Sequence, residues 1–479
     1  MTAETPRAIF IGNLPLEFED KCGVLTDLNG YPPAASIESF YGRVIGLAAE
    51  QNGYDEPPGI MMPDNVRFRR FMDGIGMVFN SIGIAPPRAY WMPDTAPVGG
   101  FSTEATLLSA LEDEGFTKQF DRGVRHTVYP NRNAGALPAF LDAARAKGID
   151  LVSGVPYYDI EHRRNPLNRS GWGRDPENPS APAFPDRHDI PYPPSCLADS
   201  FKDLEVAYSH VTKRNGRPQV FIKRAHSSSG EIYGASSLEE LQATYQRIAQ
   251  EGRLSVNGKN EPVEIQGAID IVADLSFQYD EGELITPGGL TIQLFDSKHP
   301  DTWIGNMWNV PIPNVPREDQ TRLRQEIEDI GYKVKRGLIQ ELGQGNVGRG
   351  GVDIAIVWER GRLTAKVLEH NGGRLTGAHP ATAVARTLGI TNQPFLFTKV
   401  SGTPVAGVAD VHKHLKNQGM HYTPDAKEGV FPLLWLERTA DSPGSGCGYL
   451  FMTAPTQEKL ERMMADSESV LQQAGLVTV

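Results

Sequence analysis

Apolar residues gather in two runs, 352–358 and 364–368, on either side of Arg360-Gly361, and this pattern predicts a β-hairpin. Its open end is polar: Asp353 opens the first strand, and Glu369 and Asn371 close the second. Side chains i and i+2 of a strand share a face, so Glu369 and Asn371 project together. Upstream, 219–223 (Gln-Val-Phe-Ile-Lys) reads as a short apolar strand ending in Lys223. It runs into a loop of small residues that includes Ser227, Ser228, Ser229 and Gly230. Ser237-Leu-Glu-Glu240 has the form of a capping box and opens a helix with Leu238, Leu241, Tyr245 and Ile248 on one face. An extended segment, 261–271, then carries Glu264 and Gln266, and Asp274 stands before Leu-Ser-Phe-Gln-Tyr.

The rest of the chain reads in the same way. Residues 7–12 form a buried strand, and helical stripes follow at Ile37, Tyr41, Val44, Leu47 and again at Phe68, Phe71, Ile75, Val78, Phe79. Alternating strands and helices predict a Rossmann-like α/β layer at the start of the chain. Residues 156–194 hold nine prolines and few apolar residues, which marks a long irregular segment, either a solvated loop or a functional one. Core-facing helices are predicted from Phe201, Leu204, Tyr208, Val211 and from Leu323, Ile327, Ile330, Val334, Leu338. Residues 391–479 predict two strands, 430–436 and 448–452, then a helix over 457–473 with Leu460, Met463, Met464 and Leu471 on one side.

A chain of 479 residues exceeds the usual size of a single core, so two or three domains are expected. With 39% hydrophobic and 22% charged residues it is ordinary globular material. A net charge of −12 argues against a general nucleic-acid binder, which needs a basic surface to displace counterions. Cys22, Cys196 and Cys447 are scattered, so neither a disulfide framework nor a zinc site is indicated. No stretch has the length of a membrane span and the first residues do not read as a secretion signal, so the cytoplasm is the expected compartment.

Three oxygen donors on neighbouring strands (Asp353, Glu369, Asn371) suit Mg²⁺, a hard cation held by few protein oxygens plus waters and phosphates. The competing reading is a hairpin whose polar ends face water. A Ser/Gly loop lets backbone N–H groups close around phosphate oxygens, and Lys223 adds a mobile positive charge. Gly343-Gln-Gly-Asn-Val-Gly348 spells a dinucleotide fingerprint, yet it follows a helix and precedes a strand, the reverse of the order that motif requires. Its glycines more simply shape a loop, leaving Arg349 as a candidate for a phosphate or a substrate carboxylate. His412, His414 and His421 have no carboxylate or cysteine ligand nearby and read as surface histidines.

In this order, a strand-end lysine, a flexible small-residue loop, a hinge segment with an acidic residue and late Asp and Glu-x-Asn residues, the chain resembles the ATP-grasp superfamily over roughly 190–395. The resemblance implies an ATP-grasp fold preceded by a Rossmann-like pre-ATP-grasp domain. It implies that Lys223 contacts ATP phosphates, that Ser227, Ser228, Ser229 and Gly230 form the closing loop, that Glu264 and Gln266 border the adenine, and that Asp274 takes the ribose. By the same pattern Asp353, Glu369 and Asn371 hold Mg²⁺, with Mn²⁺ as an alternative, and Arg374 faces the transferring phosphoryl group, with Arg349 as a second catalytic candidate. The family's second phosphate-contacting lysine has no counterpart back to Lys147; Arg174 and Arg187 are the available substitutes, and Lys202 stands too close to Lys223.

The layout, with Glu-His-Asn-Gly-Gly-Arg at 369–374, is most similar to pheganomycin-type peptide ligases. It implies domains at 1–150 (Rossmann-like), 151–395 (ATP-grasp core) and 396–479 (a small α/β appendage). The expected activity is an ATP-dependent carboxylate–amine ligase forming an amide through an acyl phosphate, on an amino acid or peptide in a biosynthetic pathway. Alternatives are a small-molecule kinase of the same fold or a non-catalytic ATP-binding protein. The expected partners are a small-molecule carboxylate and an amine, with neither nucleic acid nor membrane; a homodimer is left open.

Overall fold

Five parallel strands open the described part of the chain: β1 (Arg7–Ile11), β2 (Gly59–Pro63), β3 (Arg88–Met92), β4 (His126–Pro130) and β5 (Leu151–Ser153), in the order β3-β2-β1-β4-β5. Parallel neighbours need crossover connections, and helices α1 (Val66–Ser81), α2 (Glu104–Ala110) and α3 (Leu137–Ala146) supply them between β2 and β5. This is the layer the alternating pattern predicts. In this computed structural model the described residues are 7–11, 57–64, 66–93, 104–130, 137–154, 166–167, 171–224, 232–251, 254–256, 259–260, 262–280, 283–284, 290–296, 303–372, 378–438 and 447–478. The helical stripe expected at 37–47, the loop serines 227–229 with Gly230, and Arg374 lie outside them.

The second layer is a four-stranded antiparallel sheet, β6 (Ser195–Ala198), β7 (Val220–Arg224), β8 (Ile232–Ala235) and β9 (Val263–Gly267), in the order β6-β9-β7-β8. Helices α4 (Asp203–Asn215) and α5 (Leu238–Gln250) cover one face and bury Cys196, Ile222, Val263, Ile265, Leu204, Val211, Leu241 and Ile248 in a core of its own. The period of two then sends Leu197, Lys223, Glu264 and Gln266 to the other face. The Ser237 side chain accepts from the Glu240 N–H, as the capping box predicts, although Glu240 Oε2 accepts from Ser236 N–H and not from the Ser237 N–H. Phe201 corrects the reading of its stripe. It precedes α4 and is exposed, because the helix begins at Asp203 after Asp203 accepts from the Asp199 and Ser200 N–H groups.

The third layer is a nine-stranded sheet, antiparallel throughout. Its main strands are β10 (Ile271–Asp280), β11 (Leu290–Phe295), β12 (Trp303–Trp308), β13 (Gly350–Glu359), β14 (Arg362–Gly372), β15 (Phe395–Lys399), β16 (Gly429–Leu436) and β17 (Cys447–Thr453), ordered β14-β13-β10-β11-β12-β15-β17-β16. The short strand Glu283–Leu284 pairs with β10 beside this row. β13 and β14 form the expected hairpin. Arg360 and Gly361 have φ of 51° and 78°, the two positive angles of the turn whose twist matches antiparallel strands.

Helix α6 (Gln320–Leu342) lies against β14. Glu326 accepts from the Ala365 N–H at 2.9 Å and from Thr364, and Arg322 donates to the Leu363 carbonyl at 2.9 Å. Helices α7 (Ala378–Thr387), α8 (Val408–Asn417) and α9 (Gln457–Gln473) follow. Strands β15 to β17 continue the row that carries the β13–β14 hairpin, so the sheet runs across the expected division at 395/396.

The first and third layers share one apolar cluster, and α1 packs against α8 and β16. Gly74 marks the closest approach: a Cβ there would lie 2.0 Å from Val408 Cγ1 and 3.2 Å from the Ala409 nitrogen. Gly74→Ala is therefore expected to destabilise by about 1–3 kcal/mol through overpacking. Gly76, two residues on, has nothing nearer than Pro86 Cβ at 3.9 Å. Gly76→Ala should stabilise by up to about 1 kcal/mol from helix propensity alone. Denaturant unfolding of both variants checks the pair; shifts of the same sign would refute the helix contact.

Candidate functional site

Polar side chains of the two antiparallel sheets converge on one residue of β14. Between Asp353 and Ile354 the β13–β14 register shifts: Asp353 pairs with Glu369 and Ile354 with Val367, leaving Leu368 as the extra residue of a bulge. Its carbonyl accepts from Lys223 Nζ at 3.0 Å and from Gln266 Nε2 at 3.3 Å, both from the small sheet. Lys223 stands opposite Glu264 in the β7–β9 ladder, and Glu264 Oε1 accepts from the Tyr192 hydroxyl at 2.7 Å. All three of Lys223, Glu264 and Gln266 are under 5% exposed, which is a costly place for a lysine unless it serves a ligand or a partner.

On the opposite wall Asp353, Glu369 and Asn371 share one face of the large sheet. Asn371 Nδ2 donates to Asp353 Oδ2 at 3.0 Å, and Gln293 Nε2 donates to Oδ1 at 2.8 Å. Because the Asn371 nitrogen faces Asp353, its oxygen is the atom left for a cation. Two carboxylates and an amide oxygen fit Mg²⁺, a hard ion satisfied by few protein oxygens. Among the described residues no group of three or more His, Cys, Asp or Glu side chains forms a metal cluster; the amide makes this set different.

Asp274 lies on the same face, across from Ala355, and burial pushes its carboxyl above the ordinary value. Arg349 is buried immediately before β13. The glycine loop at 343–348 does follow α6 and precede β13, which excludes the dinucleotide reading.

Arg174 and Arg187, the candidates for the missing basic residue, are both engaged in holding the Pro-rich segment. Arg174 ion-pairs with Asp186 at 2.7 Å and donates to the Pro179 and Ala181 carbonyls. Arg187 makes a two-pronged pair with Glu341 of α6 and reaches the Pro182 carbonyl. The surface reading of His412 is corrected: α8 turns it inward with Val408, Val411 and Leu415, and its ring centroid is 6.5 Å from that of His421. Cys196 is no nucleophile, since burial first and Asp175 next push its thiol up to about 12.

Sequence reasoning missed Ser276, Gln278, Thr291, Gln293 and Asn306, a polar row running away from Asp353 along β10, β11 and β12. Gln278 donates to Ser276 at 2.8 Å and Asn306 to Thr291 at 2.6 Å. The signal was present: Asp274, Ser276 and Gln278 alternate with Leu275, Phe277 and Tyr279.

No family model matches the chain, and no curated protein sequence matches it. Solved structures do resemble it in fold. Biotin carboxylase from Campylobacter jejuni, as a beta-gamma-ATP complex, is 13% identical and aligns over 96% of this chain and 90% of that one, with a TM-score of 0.55. L-amino acid ligase from Bacillus licheniformis is 13% identical over 98% of both chains, with a TM-score of 0.51. Phosphoribosylamine–glycine ligase from Thermotoga maritima is 14% identical over 97% and 96%, with a TM-score of 0.51. The chain has an ATP-grasp fold.

Proposed function

We propose that this chain is an ATP-dependent carboxylate–amine ligase. The observation that carries the proposal is the Leu368 bulge, where Lys223 and Gln266 of one sheet meet the strand that carries Glu369 and Asn371 opposite Asp353. A nucleotide between these walls would exchange the Leu368 carbonyl for a phosphate oxygen at Lys223. Asp353, Glu369 and Asn371 would hold Mg²⁺, which when bound offsets the negative charge of the phosphates. Gln293, donating to Asp353, fixes the carboxylate orientation. Two of the proteins of this fold, an L-amino acid ligase and phosphoribosylamine–glycine ligase, are named for joining an amino acid to a partner, which supports the same reaction class here.

The chemistry asks mainly for positioning and charge neutralisation. A substrate carboxylate oxygen attacks the γ-phosphorus and ADP leaves, giving an acyl phosphate. An amine then attacks the acyl carbon, loses its proton, and inorganic phosphate departs. Arg374 and Arg349 are the basic residues we assign to the transferring group, and Ser227–Gly230 to the closing loop. The narrower assignment, a peptide ligase of the pheganomycin type acting in a biosynthetic pathway, rests on Glu369-His-Asn-Gly-Gly-Arg374 and the preceding parallel-sheet layer.

Hydroxylamine decides the reaction class. With ATP, Mg²⁺ and a panel of amino acids and dipeptides, the ligase should yield hydroxamate, with ADP and free phosphate in equal amounts. A kinase would leave the γ-phosphoryl group on a stable acceptor and release no phosphate, and that result would overturn the proposal.

A further inference from the structure

Between the two proposed metal ligands of β14 stands His370, whose side chain points to the opposite face of the sheet and is 2% exposed. Its Nδ1 lies 3.0 Å from the Pro166 carbonyl and its Nε2 lies 2.7 Å from the Tyr279 hydroxyl. A carbonyl only accepts, so Nδ1 carries the proton, Nε2 is the acceptor, and Tyr279 donates. The ring stacks on Trp172 (centroids 5.1 Å apart, 25° between planes) and on Tyr279 (5.8 Å, 11°). Trp172 Nε1 donates at 2.7 Å to the same Pro166 carbonyl. Two glycines make room for this cluster: a Cβ on Gly350 would lie 2.2 Å from the Tyr279 hydroxyl, and one on Gly372 would lie 2.4 Å from His370 Cε1.

β14 is the last strand of its row and has a ladder on one side only, with β13. Its outer flank is held at Leu363, Ala365 and Val367 by Arg322, Glu326 and the Pro191 carbonyl, all on the turn side of Leu368 and short of the ligand pair. The Cα atoms of Glu369 and Asn371 lie about 3.3 Å along the strand on either side of His370, so any displacement of His370 moves both. We infer that His370 is a positioning residue. Clamped between Tyr279 on one side and Pro166 and Trp172 on the other, it holds the Glu369/Asn371 edge in register with Asp353. The inference rests on the nucleotide and metal reading given above, and it assigns Pro166 and Trp172 of the Pro-rich segment a place in the site.

The test measures Mn²⁺ binding by electron paramagnetic resonance in the presence of ADP, beside ADP binding without metal by calorimetry. Tyr279→Phe removes one hydroxyl, His370→Phe removes both polar contacts, and His370→Gln keeps one acceptor and one donor. Both aromatic variants should bind Mn²⁺ about 10- to 100-fold more weakly, the range for losing a group that orients a ligand, while metal-free ADP affinity stays within about twofold. His370→Gln should fall between them and the unaltered protein. Unaltered Mn²⁺ affinity in folded Tyr279→Phe would overturn the inference, even with a lowered melting temperature, because a merely structural role predicts that pattern. Should His370→Phe fail to fold, Tyr279→Phe and His370→Gln decide alone. If the unaltered protein binds ADP but no Mn²⁺, the metal reading itself fails and the inference with it.

Discussion

Glu369→Ala is expected to lower Mg²⁺-dependent ATP turnover by at least about 100-fold, since groups that merely orient a metal ligand cost ~10–100-fold. Glu369 stands opposite Asp353 and on the same face as Asn371, and a strand offers no second side chain that could take its place. The loss should appear in turnover and in metal dependence much more than in stability, because Glu369 sits half-buried on a polar face outside the apolar core. Its melting temperature should therefore change less than that of Gly74→Ala. Steady-state ADP release at saturating ATP across a Mg²⁺ titration measures this directly. Normal Mg²⁺-dependent turnover in Glu369→Ala would end the metal reading of the hairpin.

Stability should fall steeply as pH drops below 6.5. Burial lowers the pKa of His126 and of His412 from an ordinary value of 6.5. His126 is wholly buried between Tyr90 and Phe120, and that burial is the first cause of its lowered value. In the unfolded chain both histidines take up protons from pH 6.5 downward, while in the folded chain they stay neutral until their lowered values are reached. The unfolded state then binds more protons, so stability rises with pH across this window and is lost as pH falls through it. A group that stays neutral in the fold while protonated in the unfolded chain contributes up to about 1.4 kcal/mol per pH unit. Against a total of roughly 5–15 kcal/mol this is a large fraction. Denaturant unfolding at pH 7.5 and 5.5 measures the slope. His126→Leu should flatten the slope, since it removes one of the groups whose protonation burial opposes. An unchanged slope in that variant would mean His126 is charged, or hydrogen-bonded, in the fold.

Much of the fold could be read from local pattern, and the reasons are local. The hairpin followed from two apolar runs around Arg360-Gly361, because Gly361 takes positive φ without steric cost and so marks a tight turn. Helices α5, α6 and α9 followed from stripes of 3.6-residue period, and α5 also from Ser237, whose side chain accepts from the Glu240 N–H. Phe201 was misplaced because the chain turns just before α4: Asp203 accepts from the Asp199 and Ser200 N–H groups, and the helix starts at Asp203, past Phe201. His412 looked like a surface residue because composition near it offered no ligand partner. Its burial is decided by α8 lying on β16, a contact that no local pattern states.

For the site the sequence by itself determined the inventory: Lys223 at a strand end, Glu264 and Gln266 two apart, Asp353 and Glu369-x-Asn371 on paired strands. Period two on a strand is enough to decide which of these face together. Only the tertiary structure decided that the two sets meet, because Lys223 and Leu368 are joined across 145 positions by the stacking of two sheets. It decided likewise that Gln293 supports Asp353, that Arg174 and Arg187 are occupied in the Pro-rich segment, and that His370 is clamped from behind. Each of these is a hydrogen bond or ion pair between segments far apart in the chain. Side-chain chemistry makes such bonds available, and only packing settles which partner is within reach.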